Sequence, residues 1–577
     1  MRTATPETRI GRIAWASLLA LTALWTVASL ATAEGLLSPG AVASPESGSS
    51  HLGLRFEEIA QASGLDFLYT FGDYAYDNIL ESSGSGATWI DHDGDGDLDL
   101  YLLNGVYIEG VSDPKGKRPF SRAINRFYCN QGDGTFLDCT ARTGLGDSLW
   151  SMAAAAGDYD DDGFTDLFVS NYGPNRLFHN NRDGTFSDVA PKLDLIGPPE
   201  LNGFVKWSVG GSWFDFDRDG DLDLVVCNFL AFDPYHLHPG REWEMPDPKE
   251  YQGQASLLYQ QQDDGRFLDV TRDARLLRPD SKCMGITVLD FDNDGRLDIF
   301  QGNDHQPNFL FMARRDGSFD EIASPAGVAV NDAGIGTGSM HGSPGDVDGD
   351  GWIDLLVVDL RHGSLYRQVQ PMLFEDLTWS SGVGQLLDGL GQWGAGLFDF
   401  DHDGDLDLFT TNGVAHILVE QYPALAVNDG SGHFLDARAN AGAYFNTKRS
   451  GRGAAFGDYD NDGDMDIVVN HVDHQAEIAL LRNESRKLGS WIGFQLEGRG
   501  LRTAHGAVVR VDVGGQNLVR VHQPVAGYLA GNDPRIHFGF GTAQRIKSVT
   551  VTWPSGCSQA WLDLEAGRYW ILHEGCS

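Results

Sequence analysis

Seven times along the chain, carboxylates recur at alternate places in a nine-residue pattern, D-x-D-x-D-G-x-x-D. The first copy carries Asp91, Asp93, Asp95, Asp97 and Asp99, and the second Asp158, Asp160, Asp162 and Asp166, with Phe164 at position seven. The third has Asp215, Asp217, Asp219, Asp221 and Asp223; the fourth has Asp290, Asp292, Asp294 and Asp298, with Arg296 at position seven. Asp346, Asp348, Asp350 and Asp354 form the fifth around Trp352. The sixth uses Asp399, Asp401, Asp403, Asp405 and Asp407, and the seventh Asp458, Asp460, Asp462, Asp464 and Asp466. Calcium takes six to eight oxygens at about 2.3–2.6 Å, and alternate side chains of a tight loop turn inward together to supply them. Glycine at position six lets the backbone adopt φ > 0, so that the position-seven carbonyl reaches the ion whatever its side chain. Up to seven Ca²⁺ sites are therefore expected. An EF-hand would need Glu at position twelve, where this chain has Leu102, Val169, Val226, Gln301, Val357, Thr410 and Val469. Here the last ligand is Asp at position nine.

These loops hold 33 Asp, opposed only by Arg218 and Arg296. Two carboxylates about 5 Å apart repel by roughly 3 kcal/mol at an effective dielectric near 20. Without cations the loops are strained, and with them they become staples.

The elements that must position the loops are strands. Apolar runs such as Leu100–Leu103 and Ile467–Val469 follow them, and the loops start 67, 57, 75, 56, 53 and 59 residues apart, a blade-sized period. An aromatic followed two places on by an acid recurs after each of the first six loops: Phe136/Asp138, Phe186/Asp188, Phe267/Asp269, Phe319/Glu321, Phe374/Asp376 and Phe434/Asp436. After the seventh loop it is missing, and it stands instead ahead of the first, at Phe56/Glu58. Gly64, Gly144, Gly327, Gly382 and Gly442 each follow such a Phe by eight residues. The repeat is circularly offset, so the strand near Phe56 is expected to complete the last unit. The expected fold is all-β: a seven-bladed β-propeller over residues 51–485, which removes open sheet edges, and a small β-sandwich-like domain over 486–577.

That second domain is read from apolar segments at Trp491–Leu496, Ala507–Val513, Leu518–Val525, Ile536–Phe540, Val549–Trp553 and Tyr569–Leu572. Its motifs His505-Gly506-Ala507, Gly527-Tyr528, His537-Phe538-Gly539-Phe540-Gly541 and Trp553-Pro554-Ser555-Gly556 resemble the ASPIC/UnbV domain. Gly451–Asp458 and the Leu480–Asn483 junction fit the same pattern. The acidic loops resemble FG-GAP/VCBS repeats, known from the propeller of integrin α subunits. Together they resemble the cartilage acidic protein 1 family over about residues 51–575. The resemblance implies a secreted or surface calcium-binding propeller in adhesion or matrix interaction, with no catalytic activity to carry over. A departure is the long, His-bearing stretch Phe232–Gln262.

The 577 residues carry 42 Lys+Arg against 82 Asp+Glu, a formal charge of −40, which excludes nucleic-acid binding through a basic surface. With 41% apolar and 11% aromatic residues the chain buries a large core. Arg2, Arg9 and Arg12 precede an uncharged run, Ile13–Ala33, ending in Ala31-Thr32-Ala33. This reads as a signal peptide over 1–33 with a Gly/Pro/Ser-rich linker over 34–50; left uncleaved, the run is long enough to anchor in a membrane. Location is accordingly secreted, periplasmic or cell-surface. Six Cys in an exported chain point to disulfides, with proximity favouring Cys129–Cys139 and Cys557–Cys576 and leaving Cys227 for Cys283.

Other constellations are weaker. His236, His238, Glu242 and Glu244 have transition-metal character but read as a solvated insert. His92 and His402 are expected to point away from the ion and take no part. Asn483-Glu484-Ser485 is a glycosylation sequon. No H-E-x-x-H, G-x-S-x-G or phosphate-binding Gly-rich loop is present. The expected role is a non-enzymatic binding module for an extracellular protein or glycan. The alternative is an exported enzyme, a polysaccharide lyase or hydrolase or a modifying protein of a biosynthetic cluster, which requires a pocket of titratable groups outside the Asp loops.

Overall fold

The structure is a computed structural model that describes residues 53–238, 245–472, 476–486, 489–498 and 504–575, all within one compact unit, His51–Ser577. The signal peptide and linker, Glu242, Glu244 and Cys576 lie outside the described residues. Seven antiparallel sheets repeat one plan of four strands in order, with the acidic loop joining the first strand to the second. The first sheet runs Ala87–Ile90, Asp99–Leu102, Arg126–Asn130 and Phe136–Asp138, and the sixth Gln392–Phe398, Asp407–Asn412, Ala424–Asn428 and Phe434–Asp436. Each aromatic/acid pair lies in a short fourth strand. The seventh sheet is made of Gly451–Gly457, Asp466–His471, Ala479–Asn483 and, as the circular offset requires, Phe56–Glu58, with Phe56 opposite Asn483. The long insert of the third sheet leaves its four strands intact and buries Phe229, Leu230, Phe232 and Tyr251 in the core.

The first strand of each sheet packs beside the first strand of the next, and Gly451–Gly457 of the seventh packs beside Ala87–Ile90 of the first. A second link joins the sheets at their outer strands. Gly64, Gly144, Gly327, Gly382 and Gly442 all take positive φ, and a Cβ at Gly64 would stand 2.6 Å from the Phe136 carbonyl oxygen and one at Gly442 2.3 Å from that of Phe56. Only glycine fits there without strain. In the second and third repeats Asp194 (φ 64°) and Arg275 (φ 60°) occupy the same place.

The C-terminal residues form two further sheets, one of Ile536–Gly539, Trp491–Glu497 and Tyr569–His573, the other of Asn517–Val521, Val508–Asp512, Arg545–Thr552 and Ser558–Glu565. Ile492, Phe494, Val509, Phe538, Val549 and Trp553 fill the layer between them. Ser558–Glu565 is missed by the pattern of apolar segments because its outward residues, Leu562 among them, are exposed.

One segment leaves this domain and enters the repeats. Ala530–Gly531 pairs in parallel with Ala87–Thr88 and adds a fifth strand to the first sheet. Asp533 donates its backbone N–H to the Phe456 carbonyl at 2.8 Å, and the Asn532 side chain accepts the Phe456 N–H at 3.0 Å. The fully buried Tyr528 donates its hydroxyl to the Ser83 carbonyl at 2.9 Å and packs on Trp393. A Cβ on Gly86 would stand 1.7 Å from the Leu529 carbonyl oxygen. The segment therefore belongs to the main core.

Candidate metal loops and their cover

The seven loops share one backbone scaffold. In each, the position-one carboxylate accepts the N–H of the position-six glycine, as in Gly96 to Asp91 at 3.1 Å and Gly163 to Asp158 at 2.8 Å. The same bond recurs from Gly220, Gly295, Gly351, Gly404 and Gly463. The position-five carboxylate accepts the N–H of position seven in all seven: Asp97, Phe164, Asp221, Arg296, Trp352, Asp405 and Asp464. Position six takes positive φ throughout, from 84° at Gly295 to 106° at Gly404. Position four does as well, at Gly94, Asp161, Arg218, Asn293, Gly349, His402 and Asn461. Two left-handed residues in six curl the loop around a point.

The position-nine Asp ties that loop to the sheet. One oxygen of Asp99 accepts the His92 N–H at 3.1 Å and the other the Asn130 N–H of the third strand at 2.9 Å. Asp166, Asp223, Asp298, Asp354 and Asp407 repeat both bonds. These carboxylates are buried, and burial, opposed by the N–H donors and helped by neighbouring carboxylates, raises Asp166 and Asp354 to about 8 and Asp223 to about 9. Desolvation of that kind disfavours the charged form unless a cation joins it.

The donor set fits calcium. Ligand oxygens of Asp91, Asp93 and Asp99 lie within 4.8 Å of one another, as do those of Asp158, Asp160 and Asp166 and of Asp215, Asp217 and Asp223. Asp346 Oδ1, Asp458 Oδ1, Asp460 Oδ1 and Asp466 Oδ2 are buried without a hydrogen-bond donor. A hard, oxygen-preferring ion satisfies such groups.

The loops differ in what faces position three from the third strand, at the residue preceding the one that donates to position nine. His179 Nδ1 lies 3.4 Å from Asp160, and Gln260 hydrogen-bonds Asp217. Arg367 lies 3.4 Å from Asp348, and the Arg482 guanidinium opposes the burial that raises Asp460 to about 6. A guanidinium competes with a bound cation where an amide does not. None of these four is read from the acidic motif; their signal is the register to the strand end.

They differ also in cover. The C-terminal domain lies on the sixth and seventh loops: Gly539 donates its N–H to Asp399 at 3.1 Å and Tyr569 its hydroxyl to Asp458 at 2.8 Å. Arg535 grips Asp533 and donates to the Asp458 carbonyl at 2.6 Å. Arg520 donates to the Gly404 carbonyl at 3.0 Å, and its charge is felt by Asp346, Asp399, Asp405 and Asp407. Between domain and repeats lies a cavity of about 90 Å³, lined by Ser343, Asp399, Arg520, His522, Asp533 and His537 among others.

The other predicted features resolve as follows. Cys129–Cys139 and Cys227–Cys283 are disulfide-bonded. His236 and His238 each stand 3.2 Å from a different oxygen of Glu250, so the insert is tied together through that carboxylate. The sequon is not available: Asn483 is 3% exposed and its amide nitrogen donates to the Phe400 carbonyl at 3.0 Å. Neither His92 nor His402 is idle. His92 is buried against the Asp99 carboxylate, and His402 lies under the C-terminal domain. Among the described residues no helix is long and apolar enough to cross a membrane.

Repeated acidic loops on four-stranded sheets define an all-β repeat protein, and comparison places it. An FG-GAP-like repeat model matches residues 91–169, 158–226, 251–301, 290–357, 346–410 and 399–469, and the ASPIC and UnbV model matches residues 498–577. The chain belongs to the FG-GAP repeat family and carries a C-terminal ASPIC/UnbV domain. It is similar to Cartilage acidic protein 1 of Homo sapiens, 27% identical over 507 residues that cover 84% of this chain and 70% of that protein. Cartilage acidic protein 1 of Mus musculus is 24% identical over 510 residues, covering 84% and 72%. Among solved structures, BBS1N in complex with ARL6DN aligns over 73% of this chain and 97% of that chain, with 8% identity and a TM-score of 0.40.

Proposed function

We propose that the seven sheets are the blades of a seven-bladed β-propeller, that up to seven Ca²⁺ ions staple their loops, and that the molecule is an exported, non-enzymatic binding module for an extracellular protein or glycan. The observation that carries this reading is the return of the neighbour relation to its start: the seventh sheet, completed by Phe56–Glu58, packs against the first. Seven loops with one hydrogen-bond plan then share a single role. The two disulfides suit an oxidising compartment, secreted, periplasmic or cell-surface. The likeness to Cartilage acidic protein 1 supports the same setting. Contact with a membrane is left to the N-terminal apolar run, and the charge of −40 keeps nucleic acid away.

Affinities of order 0.1–1 mM suit an extracellular module. At tenfold saturation seven such sites add roughly 10 kcal/mol, so chelation lowers the Tm by on the order of 10 °C for a chain of this size and added Ca²⁺ restores it. Melting curves that superpose in excess chelator and in millimolar Ca²⁺ sink the calcium reading; matrix protein and glycan arrays probed in both conditions test the binding role.

The interdomain cavity favours a second reading, an exported enzyme, since His522, Asp533 and His537 are titratable groups outside the Asp loops. Turnover on a polysaccharide panel, lost on changing His522, would promote it.

A further inference from the structure

We propose that His402, His537 and Asp464 form a transition-metal site of the zinc class, separate from the calcium loops, that pins the C-terminal domain onto the sixth and seventh loops. The three residues come from three places: His402 from position four of the sixth loop, Asp464 from position seven of the seventh loop and His537 from the strand Ile536–Gly539, which pairs with Trp491–Glu497. His402 is 1% exposed, and its Nε2 and that of His537 are both buried with no hydrogen-bond partner. Burying an unsatisfied ring nitrogen is costly, and a ligand shared between two rings in contact explains both at once.

The distances suit one ion. Two ligand atoms held tetrahedrally at about 2.0–2.2 Å lie roughly 3.4 Å apart, and two imidazoles on one ion have centroids roughly 5 Å apart. The His402 and His537 rings are 5.0 Å apart between centroids, and His402 Nε2 stands 3.6 Å from Asp464 Oδ1. Asp464 is free for this because a position-seven residue offers calcium its carbonyl, not its carboxylate. The Gly463 carbonyl lies close to both rings without a well-formed hydrogen bond to either Nε2.

The tautomer also fits. His402 Nδ1 lies 3.3 Å from the Gly489 carbonyl, which can only accept, so Nδ1 carries the proton and Nε2 the lone pair. A ligating histidine holds its other nitrogen on a carbonyl in this way. His537 is clamped by Trp491, stacked at 5.6 Å with 27° between planes. Arg520 and Arg535 are the cations nearest His537, and the Arg535 charge is already held by Asp533. Nitrogen donors select a borderline ion over calcium.

The test is equilibrium dialysis of the full chain against Zn²⁺ in millimolar Ca²⁺, followed by metal analysis, with Co²⁺ as a visible-absorption probe of tetrahedral nitrogen coordination. The expected result is one Zn²⁺ per chain that Ca²⁺ does not displace, lost in both His402→Gln and His537→Gln, with Co²⁺ showing intense tetrahedral bands only in the unmodified chain. Equal zinc content in the unmodified chain and both variants, or zinc fully displaced by Ca²⁺, overturns the proposal. Should one His variant fail to fold, the other and Asp464→Asn, which keeps the calcium-facing carbonyl, decide it by the same measurement. Chelation of calcium alone leaves the expected zinc content unchanged, so this site stands or falls apart from the loops.

Discussion

The first loop and the sixth are nearly the same nine residues, DHDGDGDLD and DFDHDGDLD, with the same internal hydrogen bonds, yet they live in different solvents. In the first loop Asp93 and Asp95 are exposed, and a Cβ on Gly94 or Gly96 would meet nothing within 4 Å. In the sixth, Asp399 is 2% exposed and accepts N–H groups from both Gly404 and Gly539, and the half-buried Arg520 guanidinium adds a permanent positive charge. Burial raises Asp399 to about 8, with Arg520 pulling the other way. The loop motif encodes a cage, and what covers the cage decides how much of its repulsion remains for a mobile ion to relieve.

The sharpest way to break this comparison is to remove the resident cation. Arg520→Ala leaves the covered carboxylates uncompensated, and loss of one partner of a buried charge cluster costs about 3–5 kcal/mol. The matching change on an open loop, Arg182→Ala beside Asp162, costs about 1 kcal/mol, because the Arg182 guanidinium is half in solvent although the Asp162 carboxylate is not. Denaturant midpoints of the two variants measure the gap; equal losses mean that cover is irrelevant.

A smaller effect follows from pH in calcium-free protein. The folded pKa of Asp399, about 8, lies above its unfolded value near 3.9, so the folded state binds the extra proton. The stability this supplies is present below the unfolded value and is lost as pH rises toward 8. The Tm of chelated protein should fall by roughly 5 °C between pH 5 and pH 8, while excess Ca²⁺, which favours the ionised form, flattens or reverses the slope. A chelated protein that gains stability over that range contradicts the assignment.

The smallest effect sharpens the comparison among loops. Arg367 stands against Asp348 in the fifth loop, half in solvent. Arg367→Gln, copying Gln260 of the third, removes a competing charge worth about 0.2–1 kcal/mol and should tighten that site about threefold. Calcium titration by calorimetry reads it.

Much of this was legible in residue order. The missing aromatic/acid pair after the seventh loop and its presence at Phe56/Glu58 located the strand that completes the seventh sheet, because a fourth strand must come from somewhere. The glycines eight residues beyond each Phe were visible as a period, but their reason, contact with a carbonyl of the neighbouring sheet, was not. The apolar segments of the C-terminal domain mapped its strands except Ser558–Glu565, whose outward side is exposed. The paired histidines of the insert looked like a cluster with Glu242 and Glu244, whereas their partner is Glu250, across a turn. Asn483 passed as a sequon because a tripeptide carries no burial.

The division follows the range of the forces involved. A cage of alternating Asp closed by a left-handed glycine is settled within nine residues, where backbone geometry leaves little choice, and its repetition writes the number of units into the chain itself. That Tyr528 lies among the strands of the repeats, that Arg520 neutralises the sixth loop and that His402 meets His537 depend on residues more than 100 positions apart in sequence. No period or motif encodes such meetings. They exist only once the C-terminal domain has docked and packing has excluded the water that would otherwise have satisfied each group alone.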